Sequence, residues 1–261
     1  GLLGIEFVEF TGPKPADLVA MFEKFGFRKL ATHKSKDVHL YRQNEINFIL
    51  NSESASFGEE FKAHHGPSIC AMAWKVKDAD QAFKIAVQRG ARPFEGEKTG
   101  PRGWTIPAVY GIGDSLVYFV DRPQGTKDSI YDMDFNWLSS EHNHVGTGYL
   151  RIDHLTNNVP QGEMQKWCDF YTKIFGFEEA KYFDIKGKKT GLISKVMASP
   201  CGTFSIPINE SSDEKSQMAE YIREYNGSGI QHLAFLTTDI LSAVAQTRKQ
   251  NIEFLTVPDT Y

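Results

Sequence analysis

Two periods alternate along the chain. Val38 to Arg42 and Leu192 to Ser199 alternate in polarity every second residue, as a half-buried strand does. About Ala16 to Lys24, Ala79 to Arg89, Met164 to Ile174 and Ile240 to Arg248 carry apolar residues three and four apart, the stripe of an amphipathic helix. These segments repeat. Phe7-Val8-Glu9-Phe10-Thr11, a helix and Phe25-Gly26-Phe27 recur as Ile152-Asp153-His154-Leu155-Thr156, a helix and Phe175-Gly176-Phe177. Within each half a second unit follows: Ile69-Cys70-Ala71-Met72-Ala73-Trp74, leading to Asp78, matches Ile230-Gln231-His232-Leu233-Ala234-Phe235, leading to Asp239.

The pattern predicts four strand-helix-strand-strand-strand modules in two halves. The fold class is α+β, built of tandem βαβββ modules, each half an open barrel of curved sheet with helices on its convex side and a concave face for ligand. Residues 1–121 form the first half, 122–148, rich in Gly, Ser, Asp and Asn, a linker, and 149–261 the second half. The second module runs to completion through Leu116 to Asp121. The fourth reaches Ile252-Glu253-Phe254-Leu255 and stops at Tyr261 without its last hairpin, so the sequence is read as cut short there, and at Gly1 as well.

Bulk properties narrow the partners. A net charge of -4 spread over interspersed acids and bases gives no footprint for nucleic acid or an anionic membrane, and no apolar run approaches transmembrane length. Three cysteines without metal-type spacing fit a reducing cytoplasm, and Cys168, among Trp167, Phe170 and Tyr171, reads as a buried small hydrophobe. The expected partner is a small molecule.

The duplication makes one half a control for the other. His154 falls opposite Glu9 and His232 opposite Ala71, so histidine appears at the opening strand of both modules of the second half and of neither in the first. A lone histidine is more often an ordinary core or surface residue, but two in matched strands would approach one another. Two neutral imidazoles and one carboxylate on one face hold iron with open positions for a chelating substrate and dioxygen. Beside them, Thr203, Ser205, Pro207 and Asn209 share one strand face and Phe204, Ile206 and Ile208 the other, with Ser194 on the neighbouring strand; the polar face is expected to line the concavity. Gln231, adjacent to His232, points to the opposite face by strand period, so a twist or bulge is needed to bring it in. His64-His65 and His142-Asn143-His144 are read as solvated, and Gly111-Ile112-Gly113 as a hairpin turn rather than a dinucleotide loop.

Ile152-Asp153-His154-Leu155-Thr156-Asn157-Asn158-Val159, Ile206-Pro207-Ile208-Asn209-Glu210 and Gly229-Ile230-Gln231-His232-Leu233-Ala234 closely resemble 4-hydroxyphenylpyruvate dioxygenases of the vicinal-oxygen-chelate superfamily, and the resemblance runs through essentially the whole chain. It implies Fe(II) as cofactor, with His154 and His232 as two ligands and a glutamate beyond Tyr261 as the third. Ser194, Pro207, Asn209, Gln217 and Gln231 are implied to line the substrate pocket, Asn209 and Gln231 acting in catalysis. The implied reaction takes 4-hydroxyphenylpyruvate, an aromatic α-keto acid, and O2 to homogentisate and CO2 in tyrosine catabolism, in a homo-oligomer. A 4-hydroxymandelate-forming relative and a non-catalytic binding protein of the same fold are the alternatives. Two histidines without the carboxylate are expected to hold iron poorly and leave the piece inactive.

Overall fold

The computed structural model describes residues 1–96, 106–122, 128–186, 191–211 and 216–255. The first module is β1 (Leu2–Thr11), α1 (Pro15–Lys24), β2 (Arg28–His33), β3 (Val38–Gln43) and β4 (Ile46–Asn51). α2 (Phe57–His65) leads to the second: β5 (Ser68–Val76), α3 (Ala79–Gln88), β6 (Ala108–Tyr110) and β7 (Leu116–Val120). Then α4 (Ile130–Asp134) and β8 (Phe135–Trp137) follow. The third module repeats the first as β9 (Arg151–Val159), α5 (Met164–Phe175), β10 (Glu178–Lys186), β11 (Gly191–Ala198) and β12 (Ser205–Ser211). α6 (Gln217–Glu224) then precedes β13 (Gly229–Leu236) and α7 (Ile240–Lys249).

The strands form two open mixed sheets, β6-β7-β5-β1-β4-β3-β2-β8 and β10-β11-β12-β9-β13. The first three modules each pair their first strand in parallel with their last, β1 with β4, β5 with β7 and β9 with β12, which the crossover helix makes possible. The stretch read as a linker is partly structured. Ser129 caps α4 in a reciprocal capping box with Asp132, and Phe135 to Trp137 extend the first sheet beside β2. The linker's end is clamped by Gln43, fully buried, whose Oε1 accepts from the amides of Thr147, Gly148 and Tyr149 at 2.8, 3.0 and 3.1 Å. Ile252 to Leu255 form no strand.

The two halves share one core through a reciprocal exchange of aromatics. Trp74, on β5, packs on Phe175 and Phe177 of the second half at 4.6 and 5.6 Å between ring centroids. Its counterpart Phe235, on β13, packs on Phe25 and Phe27 of the first at 6.5 and 6.0 Å. The repeated Phe-Gly-Phe sequences are therefore sockets, each receiving the ring that the other half supplies. Gly113 turns between β6 and β7 with φ +63° and lies against the Ser228 carbonyl at the entrance to β13, where a Cβ would overlap that oxygen. His65 departs from the solvated reading: its ring sits between Phe61 and Tyr225, at 4.4 and 4.5 Å, with Nδ1 2.6 Å from the Tyr225 carbonyl. Burial there pushes its imidazole below the ordinary value. His142 stacks on Trp137 at 3.9 Å, while His64 is exposed.

Candidate metal and substrate site

His154 and His232 meet on neighbouring strands. β13 runs antiparallel to β9, with Ala234 opposite His154 and His232 opposite Thr156, so the two histidines are diagonal neighbours on one face. Their ring centroids lie 5.7 Å apart, nearly perpendicular. Two β-bulges flank them. Asp153 is the extra residue on β9, between the pairs Phe235–Ile152 and Ala234–His154, and Gln231 is the extra residue on β13, between Ile230–Asn157 and His232–Thr156. Each bulged side chain turns to the histidine that follows it. His154 Nδ1 donates to Asp153 Oδ2 at 2.9 Å, and His232 Nδ1 donates to Gln231 Oε1.

Because a carboxylate and an amide carbonyl oxygen accept, in the neutral ring these bonds place the proton on Nδ1 and leave Nε2 with its lone pair. Burial pushes the His232 imidazole below its ordinary value and the neighbouring His154 adds to the effect, favouring the neutral form that a metal needs. Two such imidazoles fit two positions of an iron or similar centre. Among the described residues no group of three His, Cys, Asp or Glu side chains forms a complete metal set.

Polar side chains continue along the same face. Ser194 on β11 pairs with Asn209 on β12, which pairs with Asn158 on β9, a row across three strands; one step back along β12, Pro207 pairs with Val196. Asn209 Nδ2 donates to Asn158 Oδ1 at 3.4 Å, and Ser194 and Asn158 are both buried. The opposite face carries Ile206 and Ile208, fully buried in the core with Phe204, as the alternation required. Gln217 stands at the first turn of α6, exposed, with the helix capped by Ser216 and its Met218 turned inward. Sequence reading did not single out Asp153, Thr156 or Asn158 as site residues. The last two were within reach, since they stand two and four positions beyond His154 and so share its face.

The first half shows what the site is made from. Its β1–β5 ladder carries the same two bulges, at Glu6 and Cys70, and the same pairs between them: Phe7 with Ala73 and Glu9 with Ala71. Superposing bulge on bulge makes Ala71 the counterpart of His232, but it makes Phe7, not Glu9, the counterpart of His154; Glu9 matches Thr156. The sequence alignment was displaced by two residues, which preserves the face and so left the error invisible. Glu9 is buried beside Asn51, whose Nδ2 donates to it at 2.8 Å, and burial raises its carboxyl above the ordinary range. Cys168 behaves as a hydrophobe, its thiol pushed up to about 11 by burial.

Comparison with known proteins gives the same class as the fold. Residues 151–261 match the glyoxalase/bleomycin resistance protein/dioxygenase superfamily, and the two-sheet arrangement of βαβββ modules is that of this superfamily. Residues 1–136 match the family described as hydroxyphenylpyruvate dioxygenase, N-terminal. Hemolysin VllY of Vibrio vulnificus is 49% identical over 267 residues, covering 100% of this chain and 74% of its own. A 4-hydroxyphenylpyruvate dioxygenase of a Pseudomonas species is 48% identical over 264 residues, covering 100% and 73%. Among solved structures, a xylose isomerase-like TIM barrel/4-hydroxyphenylpyruvate dioxygenase fusion protein superposes with a TM-score of 0.82 at 35% identity, over 100% of this chain and 41% of that one. The chain belongs to the hydroxyphenylpyruvate dioxygenase family.

Proposed function

We propose that this protein is an Fe(II)-dependent dioxygenase that converts 4-hydroxyphenylpyruvate and O2 to homogentisate and CO2, serving tyrosine catabolism in the cytoplasm as a homo-oligomer. The observation that carries the reading is the pair of imidazoles 5.7 Å apart on one face of the second sheet, in a chain 48% identical over its whole length to a protein named for this activity. His154 and His232 would hold the metal through Nε2, with a glutamate from outside this sequence completing the set. Bound iron supplies dioxygen activation and the redox chemistry of decarboxylation and ring hydroxylation.

The remaining work belongs to the chain's own side chains. Ser194, Asn209 and Gln231 offer a hydroxyl and two amides at separate points on one sheet face, which suits a substrate polar at both ends and flat between. With Nδ2 of Asn209 turned to Asn158, its carbonyl oxygen is the end left to accept from a substrate hydroxyl. Pro207 shapes the wall between the histidines and that row, and Gln217 adds an amide from the first turn of α6. Held in one orientation against the sheet, the substrate presents its ring to the oxidant and keeps water away. The first half, without a histidine in either matched strand, serves as scaffold.

The test is oxygen uptake with 4-hydroxyphenylpyruvate and Fe(II), with product identified by mass and retention, for the full-length protein that carries the third ligand and for its His154→Ala and His232→Ala variants. Homogentisate from the parent and none from either variant is the expected result. Hydroxymandelate as the product would change the reaction but keep the metal site. Tight substrate binding without oxygen uptake would leave a binding protein.

A further inference from the structure

The two bulges do more than bend their strands. In a regular strand the residue before a histidine faces the other side of the sheet, and its side chain cannot reach the imidazole. Here each extra residue breaks the alternation, and its oxygen becomes the partner of the next residue's Nδ1: Asp153 for His154 at 2.9 Å, Gln231 for His232. The first half keeps both bulges but places Phe7 and Ala71 after them, so the backbone device is more general than the histidines, which follow it in the second half alone. Of the two bulged residues, Gln231 already has a part in the substrate reading. Asp153 has none.

We propose that Asp153 is a positioning residue for the metal site: by accepting the Nδ1 proton of His154 it fixes the tautomer and the ring plane in which Nε2 faces the metal. The geometry favours this over an incidental surface contact, because the bulge that redirects the Asp153 side chain is the same device that aims Gln231 at His232. A carboxylate behind a ligating imidazole also raises the basicity of the ligand, and loss of such partners weakens metal binding by about 10- to 100-fold. Asn in place of Asp keeps an acceptor at the same place without the charge. The inference rests on the metal-site reading of His154 and His232, and the experiment separates the two.

Co(II), a spectroscopically visible stand-in for Fe(II), is titrated calorimetrically and by its visible absorption into the full-length protein that carries the third ligand and into its Asp153→Ala, Asp153→Asn, His154→Ala and Asp153→Ala/His154→Ala variants. Thermal melting of each is followed alongside. The expected result is affinity lowered about 10- to 100-fold by Asp153→Ala, recovered in part by Asp153→Asn, with a changed Co(II) spectrum and no further loss when Asp153→Ala is added to His154→Ala. Because Asp153 is half exposed, melting should move little, which separates this role from a structural one. Unchanged affinity in Asp153→Ala, or a loss that adds in full to that of His154→Ala, overturns the positioning role while leaving the metal site intact. Equal Co(II) binding by the parent and His154→Ala overturns the metal site, and the inference with it.

Discussion

Replacing Trp74 with alanine should destabilise both halves at once. Trp74 is 1% exposed and its ring meets five others, Phe175, Phe177, Phe204, Phe119 and Tyr171, at centroid distances of 4.6, 5.6, 6.1, 6.3 and 6.4 Å. Four of those five rings belong to shared-core residues of the second half or to α5, so the cavity would open between the sheets, where neither can close it alone. Truncating a fully packed tryptophan costs about 3–5 kcal/mol, which at about 2–4 °C per kcal/mol for a chain near this size lowers Tm by roughly 6–20 °C. Trp74→Phe should behave differently. Among the described residues the buried indole Nε1 has no partner, a penalty of about 1–3 kcal/mol in the native state that phenylalanine removes. That gain offsets most of the smaller cavity, so Trp74→Phe should lie within about 1.5 kcal/mol of the parent. Urea unfolding followed by circular dichroism gives both values. A single transition is expected in each protein, because one hydrophobic cluster contains buried residues of both halves. Two separate transitions in the parent, or an alanine variant within 1 kcal/mol of it on the same reasoning, would refute the shared core.

Three further outcomes follow from particular residues. Glu9→Gln should raise stability at neutral pH: burial lifts the Glu9 carboxyl above its ordinary 4.5, so between 4.5 and its native value the folded state binds more protons and loses stability as pH rises, and the gap between variant and parent should close toward pH 4.5. Constant spacing of the two melting curves from pH 4 to 8 would contradict it. Gln43→Leu strands three backbone amides and the Phe25 carbonyl, to which Nε2 donates at 2.9 Å, and should cost about 3–5 kcal/mol in denaturant unfolding. Gly113→Ala forces a side chain into the left-handed region and onto the Ser228 carbonyl at the head of β13, so it should cost about 1–3 kcal/mol and also weaken Co(II) binding, since β13 carries His232.

Much of this architecture is legible in the sequence. Duplication gave the order of modules, the helix periods gave α1, α3, α5 and α7 to within a residue or two, and strand alternation put Ile206 and Ile208 in the core and Ser194 beside Asn209. What escaped has physical causes. α2 and α6 are short, 9 and 8 residues, so each spans little more than two turns in which a period can show. β8 is three residues inside a stretch whose composition reads as connector, and it becomes a strand because β2 offers an edge. His65 has no pattern around it; its place between Phe61 and Tyr225 depends on a residue 160 positions away.

The bulges explain both the strength and the failure of the sequence argument about the site. A bulge adds one residue without adding a row, so alternation counted through Asp153 or Gln231 assigns the wrong face, and by strand period Gln231 points away from a site it adjoins. Nothing in composition distinguishes a bulged residue from an ordinary one, and only the ladder shows it. The same ladder shows why the first half was an imperfect guide. With bulges matched, the His154–Thr156–His232 arrangement of the second half corresponds to Phe7, Glu9 and Ala71, an aromatic, a buried carboxyl and a methyl. The backbone at these positions is common to both halves. On the proposed reading, metal binding resides in the side chains that follow the two bulges and in the oxygens the bulges turn toward them, and a histidine placed at Phe7 and another at Ala71 would find Glu6 and Cys70 behind them, of which only the first offers an oxygen to hold an imidazole.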